Sequence, residues 1–150
     1  MPQSLTQLYV HIVFSTKKHV PYLRRSIRKE LFSYMGGILN NMECIPIKIG
    51  GYDDHVHILC RMSKKITLIK LLEEIKKSSS KWIKTKGDEF KDFHWQDGYG
   101  AFTVSPSGVD HLQSYIENQE EHHKWKKFRE EYLEFLKSNN AEYDERYLWD

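Results

Sequence analysis

The stretch CIPIKIGGYDDHVHILCRM, residues 44–62, decides the fold. Cys44–Gly50 is short and apolar and closes on Gly50-Gly51, which reads as a strand followed by a turn. His55–Met62 then alternates with period two, the mark of a half-buried strand. So tight a connection predicts an antiparallel hairpin. On its second strand His55 and His57 share one face, while Val56, Ile58 and Cys60 point the other way, under whatever covers the sheet.

Upstream, Arg24–Met42 carries Ile27, Leu31, Tyr34, Ile38 and Met42 at helical spacing. Gly36-Gly37 inside it costs about 1 kcal/mol each relative to Ala. Before a basic connection at Lys17–Pro21, Leu8–Phe14 alternates as a first strand, with Tyr9, His11 and Val13 on one face. Downstream, Thr67–Lys86 is a second helix, with Leu68, Leu72, Ile75 and Trp82 as its apolar stripe. A polar loop with aromatics leads to a fourth strand, Tyr99–Ser105. Ser107 with Asp110 resembles a capping box that opens a third helix through SYIENQEEHH. A last amphipathic stretch, Trp125–Lys137, precedes Asn139-Asn140 and an acidic tail.

The order βαββαβ predicts an α+β, ferredoxin-like antiparallel sheet, similar in plan to the RNA-recognition motif, over residues 1–106. Two helices cover one face, the other stays open, and residues 107–150 add further helices and the tail. A length of 150 residues suits one domain, and the composition excludes collagen-like and wholly disordered classes. No apolar run is long enough for a membrane span, and the first residues do not look like a signal peptide. Cys44 and Cys60 then read as reduced core thiols in a cytoplasmic protein.

The net charge of +2 hides an asymmetry. Residues 1–86 hold 16 Lys/Arg against 6 Asp/Glu, and residues 87–150 hold 7 against 15. That split suggests a basic surface for a polyanion, or else a lysine-rich solvated helix face. Candidate phosphate contacts are Lys17, Lys18, Arg24 and Arg25, and the face of the second helix that carries Lys70, Lys77, Lys81 and Lys84. Phe93, Trp95 and Tyr99 would either stack on unpaired bases or tuck into the core.

Two imidazoles about 7 Å apart on one strand face converge on a metal ion or are simply hydrogen-bonded. Tyr115 and Gln119, four apart, share a helix face. A tyrosine can serve as a covalent nucleophile and an amide oxygen can complete a hard-cation site, or Tyr115 is an amphipathic aromatic beside Leu112 and Ile116. His11 reads as a surface or structural residue, or as a contact near the metal. His122 and His123 read as solvated residues at a helix end.

Together these stretches resemble the HUH single-tyrosine transposases of the insertion-sequence-200-like group. LYVHIVFSTKK, DDHVHIL, LLEEIKKSSSKWI, FHWQDGYGAFTVS and SYIENQEEHH occur in the family's order and span most of residues 8–123. The resemblance implies that His55, His57 and Gln119 hold a divalent ion, Mg²⁺ or Mn²⁺. It implies that Tyr115 attacks single-stranded DNA beside hairpins and forms a 5′-phosphotyrosine. It further implies a homodimer in which the nucleophile helix serves the partner's site, in the cytoplasm at a bacterial or archaeal nucleoid. The alternatives are a non-catalytic nucleic-acid-binding module, a domesticated relative, or a hydrolase that uses activated water.

Overall fold

The computed structural model describes residues 2–124 and 126–150. Four strands, β1 (Tyr9–Ser15), β2 (Ile45–Gly51), β3 (His55–Arg61) and β4 (Gly100–Thr103), form one antiparallel sheet in the order β2-β3-β1-β4. Helices α1 (Arg25–Asn41) and α2 (Leu68–Lys84) cover one face. This is the ferredoxin-like arrangement expected from the element order. Ile12 and Phe14 of β1 and Val56, Ile58 and Cys60 of β3 face those helices, where Leu31, Met35, Leu71 and Ile75 complete a buried core. Gly36 and Gly37 do not break α1, because packing on the sheet outweighs their low propensity. Thr67 caps α2 by accepting from the Lys70 amide.

The second face is not open. After β4 the chain forms α3 (Val109–Glu117), a short α4 (Gln119–His122) and α5 (Phe128–Ser138). Phe128, Tyr132 and Leu136 of α5 pack on Val13, all at most 6% exposed. Burying side chains of this size contributes about 2 kcal/mol each, which suffices to hold one helix on a sheet. The expected last stretch is thus a cover for the histidine-bearing face. Its proposed first residue, Trp125, lies outside the described residues.

Three local expectations change. Gly50 and Gly51 lie inside β2, and the turn falls at Tyr52–Asp54. A Cβ on Gly50 would stand 2.7 Å from the Ile116 carbonyl oxygen, so the glycine is there to let α3 approach the strand. Ser107 lies in a 3-10 turn and caps nothing, while Gly108 holds the N-cap position of α3. The helix through SYIENQEEHH breaks at Asn118, whose backbone (φ −94°, ψ 22°) separates α3 from α4.

Candidate active site

Period two on β3 puts both imidazoles of His55 and His57 on the face covered by α5, and both are fully buried. His55 Nδ1 donates to Asp54 Oδ1 at 2.8 Å, which fixes its ring and turns Nε2 inward. Nε2 reaches Gln119 Oε1 at 3.0 Å and lies 3.4 Å from Glu131 Oε1. The Phe128 ring stacks on His55 at 4.2 Å between centroids. His57 shares a 2.8 Å hydrogen bond between its Nδ1 and His11 Nε2, and its own Nε2 donates to Glu131 Oε1 at 3.0 Å. His11 therefore positions His57 from the neighbouring strand.

The nucleophile and amide candidates arrive on the same spot. Gln119, 1% exposed, donates from Nε2 to Glu131 Oε2 at 3.1 Å. The Tyr115 ring centroid lies 6.0 Å from that of His57 in the same chain. Its hydroxyl donates to Glu131 Oε2 and accepts from His122 Nε2 at 2.9 Å. Tyr115 also borders a surface hollow with His111, His122 and Lys126, so its ring is half-buried.

Charge organises the cluster. Burial alone would lower the His55 pKa, but the Asp54 and Glu131 carboxylates raise it to about 9. Burial keeps His57 and His11 below the usual histidine range. Burial opposes ionisation of Asp54 and Glu131, yet their histidine partners hold both below the usual carboxylate range. Burial, followed by the Glu131 charge, raises the Tyr115 phenol, which is thus held protonated.

Sequence reasoning missed three members, Glu131, His122 and His123. Glu131, 1% exposed, sits at the centre of the site. His123 Nε2 lies 2.9 Å from Gln119 Oε1 and 3.2 Å from Glu131 Oε1, and His122 Nε2 lies 2.9 Å from the Tyr115 hydroxyl, so both face the site rather than solvent. The signal for Glu131 was present. It falls on the apolar stripe of α5 between Phe128, Tyr132 and Phe135, where a carboxylate has no packing use. Phe93 and Trp95 are core residues, Trp95 donating to Ser79 Oγ at 2.9 Å, and are not base-stacking groups.

The donor set fits a divalent ion. One ligand atom each from His55, His57 and Glu131 lies within 4.8 Å of the others, with the Gln119 amide oxygen beside them. Imidazole nitrogens with carboxylate and amide oxygens suit first-row divalent ions. Among the candidate phosphate contacts, Lys17, Lys18, Arg24, Arg25, Lys70, Lys77, Lys81 and Lys84 are all exposed. Lys17, Arg24 and Arg25 are paired with Asp97, Glu89 and Glu120.

The site thus joins a His-hydrophobic-His strand of a ferredoxin-like sheet to a helical tyrosine. The family described as transposase IS200 like matches residues 4–119, and the chain belongs to it. It is a transposase, a DNA-cleaving enzyme. The fold is similar to that of a candidate transposase from Deinococcus radiodurans at 20% identity and a TM-score of 0.62, covering 79% of this chain and 98% of that one. It is similar also to a REP-associated tyrosine transposase bound to a REP hairpin, at 12% identity and a TM-score of 0.62, covering 84% and 74%. Among curated proteins none matches the chain significantly. No helix among the described residues is long and apolar enough to cross a membrane.

Proposed function

We propose that the chain cleaves and rejoins single-stranded DNA beside hairpins through a Tyr115 5′-phosphotyrosine. The observation that carries this reading is the position of the Tyr115 hydroxyl. The hydroxyl lies on the same Glu131 carboxylate that faces His55, His57 and Gln119, and the Tyr115 ring lies beside that of His57, all within one chain. The Tyr115 oxygen attacks phosphorus, the bond to the 3′-oxygen breaks, and that oxygen leaves to take a proton from solvent water and become a 3′-hydroxyl. Glu131 Oε2 already accepts the phenolic hydrogen bond and is the group placed to take the proton. His122 donates to the phenol oxygen and aims it.

His55, His57 and Gln119 would hold Mg²⁺ or Mn²⁺, which polarises the scissile phosphate and neutralises its charge when bound. Asp54 and His11 keep the two imidazoles oriented for that task. Residues 107–150 supply the nucleophile and residues 1–106 the histidines, and their meeting within one chain supports a site that works in cis. A homodimer would then bring together two complete sites. The exposed lysines of α2, with Lys17, Lys18, Arg24 and Arg25, supply phosphate contacts at the nucleoid. The hairpin on the similarly folded REP-associated enzyme supports a hairpin substrate.

The test is covalent capture of 3′-labelled, hairpin-flanked single-stranded DNA with Mn²⁺. An SDS-resistant adduct is expected for the wild type and is lost in Tyr115→Phe and His57→Ala. An adduct that survives Tyr115→Phe overturns the mechanism. Hairpin binding with no adduct in the wild type would instead support the non-catalytic module.

A further inference from the structure

We propose that Glu131 is a further protein ligand of the divalent ion, brought to the site by α5 of the same chain. The inference rests on the metal reading of His55 and His57 above and adds a carboxylate to it. Glu131 comes from outside the residues 4–119 matched by the family.

Three observations carry it. First, Glu131 is 1% exposed, and its ion-pair partners among the described residues are histidines only: His55, His57, His122 and His123. A buried carboxylate without donors or a cation is costly. Once His55 and His57 turn their Nε2 lone pairs to an ion, those nitrogens no longer donate to Oε1 at 3.4 and 3.0 Å. The ion is then the partner that replaces them. Second, the ligand atoms of His55, His57 and Glu131 lie within 4.8 Å of one another, close enough for one ion to touch all three.

Third, the carboxylate is held in place. Phe128 lies on His55, and Tyr132 and Leu136 lie on the sheet, so Glu131 cannot retreat without lifting the helix. Its two oxygens divide the work. Oε1 faces the histidines, and Oε2 receives Gln119 Nε2 and the Tyr115 hydroxyl. One carboxylate thereby ties the ion to the nucleophile.

The test titrates Mn²⁺ into the full-length chain without DNA, followed by calorimetry and by electron paramagnetic resonance of free Mn²⁺. Glu131→Gln should weaken binding by about tenfold or more, on the scale seen when groups that tune a metal site are lost. Glu131→Asp keeps the charge and should fall between it and the wild type. Glu134→Gln, an exposed neighbour paired with Lys126, should leave the affinity unchanged. Wild-type affinity in Glu131→Gln overturns the proposal, and tighter binding overturns it too, by making Glu131 a plug. If His57→Ala also bound Mn²⁺ normally, the metal reading itself would fall. If only Glu131→Gln did so, this inference alone would fall.

Discussion

His55 makes the stability of the metal-free protein depend on pH in a window set by its surroundings. In the folded chain its pKa rises from 6.5 to about 9, because the Asp54 and Glu131 carboxylates more than offset its burial. A group raised in the fold binds its proton more tightly there than in the unfolded chain. Its contribution is therefore complete below pH 6.5 and is lost as pH climbs through about 9. At 1.36 kcal/mol per pH unit the rise is worth about 3 kcal/mol. His11, His57 and His122 have the opposite sign, since burial lowers all three. They cost stability as pH falls below 6.5. Urea unfolding in EDTA should therefore show the histidine cluster contributing most near pH 6.5. Comparison with His55→Gln isolates the residue. The wild type should exceed the variant by about 3 kcal/mol more at pH 6.5 than at pH 10. The chelated protein should also release a proton on binding Mn²⁺ at pH 7.5, readable by calorimetry in two buffers. A pH-independent difference between the two proteins would refute the assignment of His55 as the cluster's imidazolium.

Gly50→Ala should destabilise the chain by about 1–3 kcal/mol, because its Cβ meets the Ile116 backbone where α3 rests on β2. Adduct yield should fall further than unfolding explains, since the same helix carries Tyr115. Replacing Lys77, Lys81 and Lys84 together by Gln should lower the salt slope of hairpin binding by about 2–3, from a loss of roughly 0.7–0.9 per phosphate contact. An unchanged slope in a filter-binding titration would remove α2 from the DNA surface.

The sheet was legible because periodicity reports burial locally. Period two in β1 and β3 and the 3.6-residue stripe of α1 and α2 each named the side facing the core. The same periodicity placed His55 with His57, and Tyr115 with Gln119. What stayed hidden was long-range. An amphipathic pattern shows that α5 has an apolar face, but not which surface receives it. The open face assumed for the histidines was for that reason wrong. Glu131 and His123 followed from the same omission, because their chemistry appears only when α5 and the segment before it fold back. Trp95 and Phe93 stood open between base stacking and burial, because a polar loop fits either, and Phe14 and Ser79 beneath the loop decide for burial. Gly50 was visible, but a close helix approach and a turn ask for the same residue.

The opposite charges of the two parts of the chain acquire separate explanations in the fold. Much of the acidic excess is consumed against the basic part. Arg24 pairs with Glu89, Arg25 and Arg28 with Glu120, Lys48 with Glu117, and Lys17 with Asp97. Glu131 is consumed by histidines. Lys77, Lys81 and Lys84 form no ion pair among the described residues, so α2 carries part of the uncompensated positive surface, with Lys18 and Lys29 among the rest. That helix packs on the face with Val56 and Ile58, whereas His55, His57 and Tyr115 lie on the other. On the proposed reading, a hairpin held by α2 would be separated from Tyr115 by the sheet itself, and its single-stranded flank would have to pass an edge of the sheet to be cut. Affinity and chemistry should then be separable: lysine substitutions on α2 should change how DNA is retained, and substitutions at Tyr115 or His57 should change whether the retained strand becomes covalent.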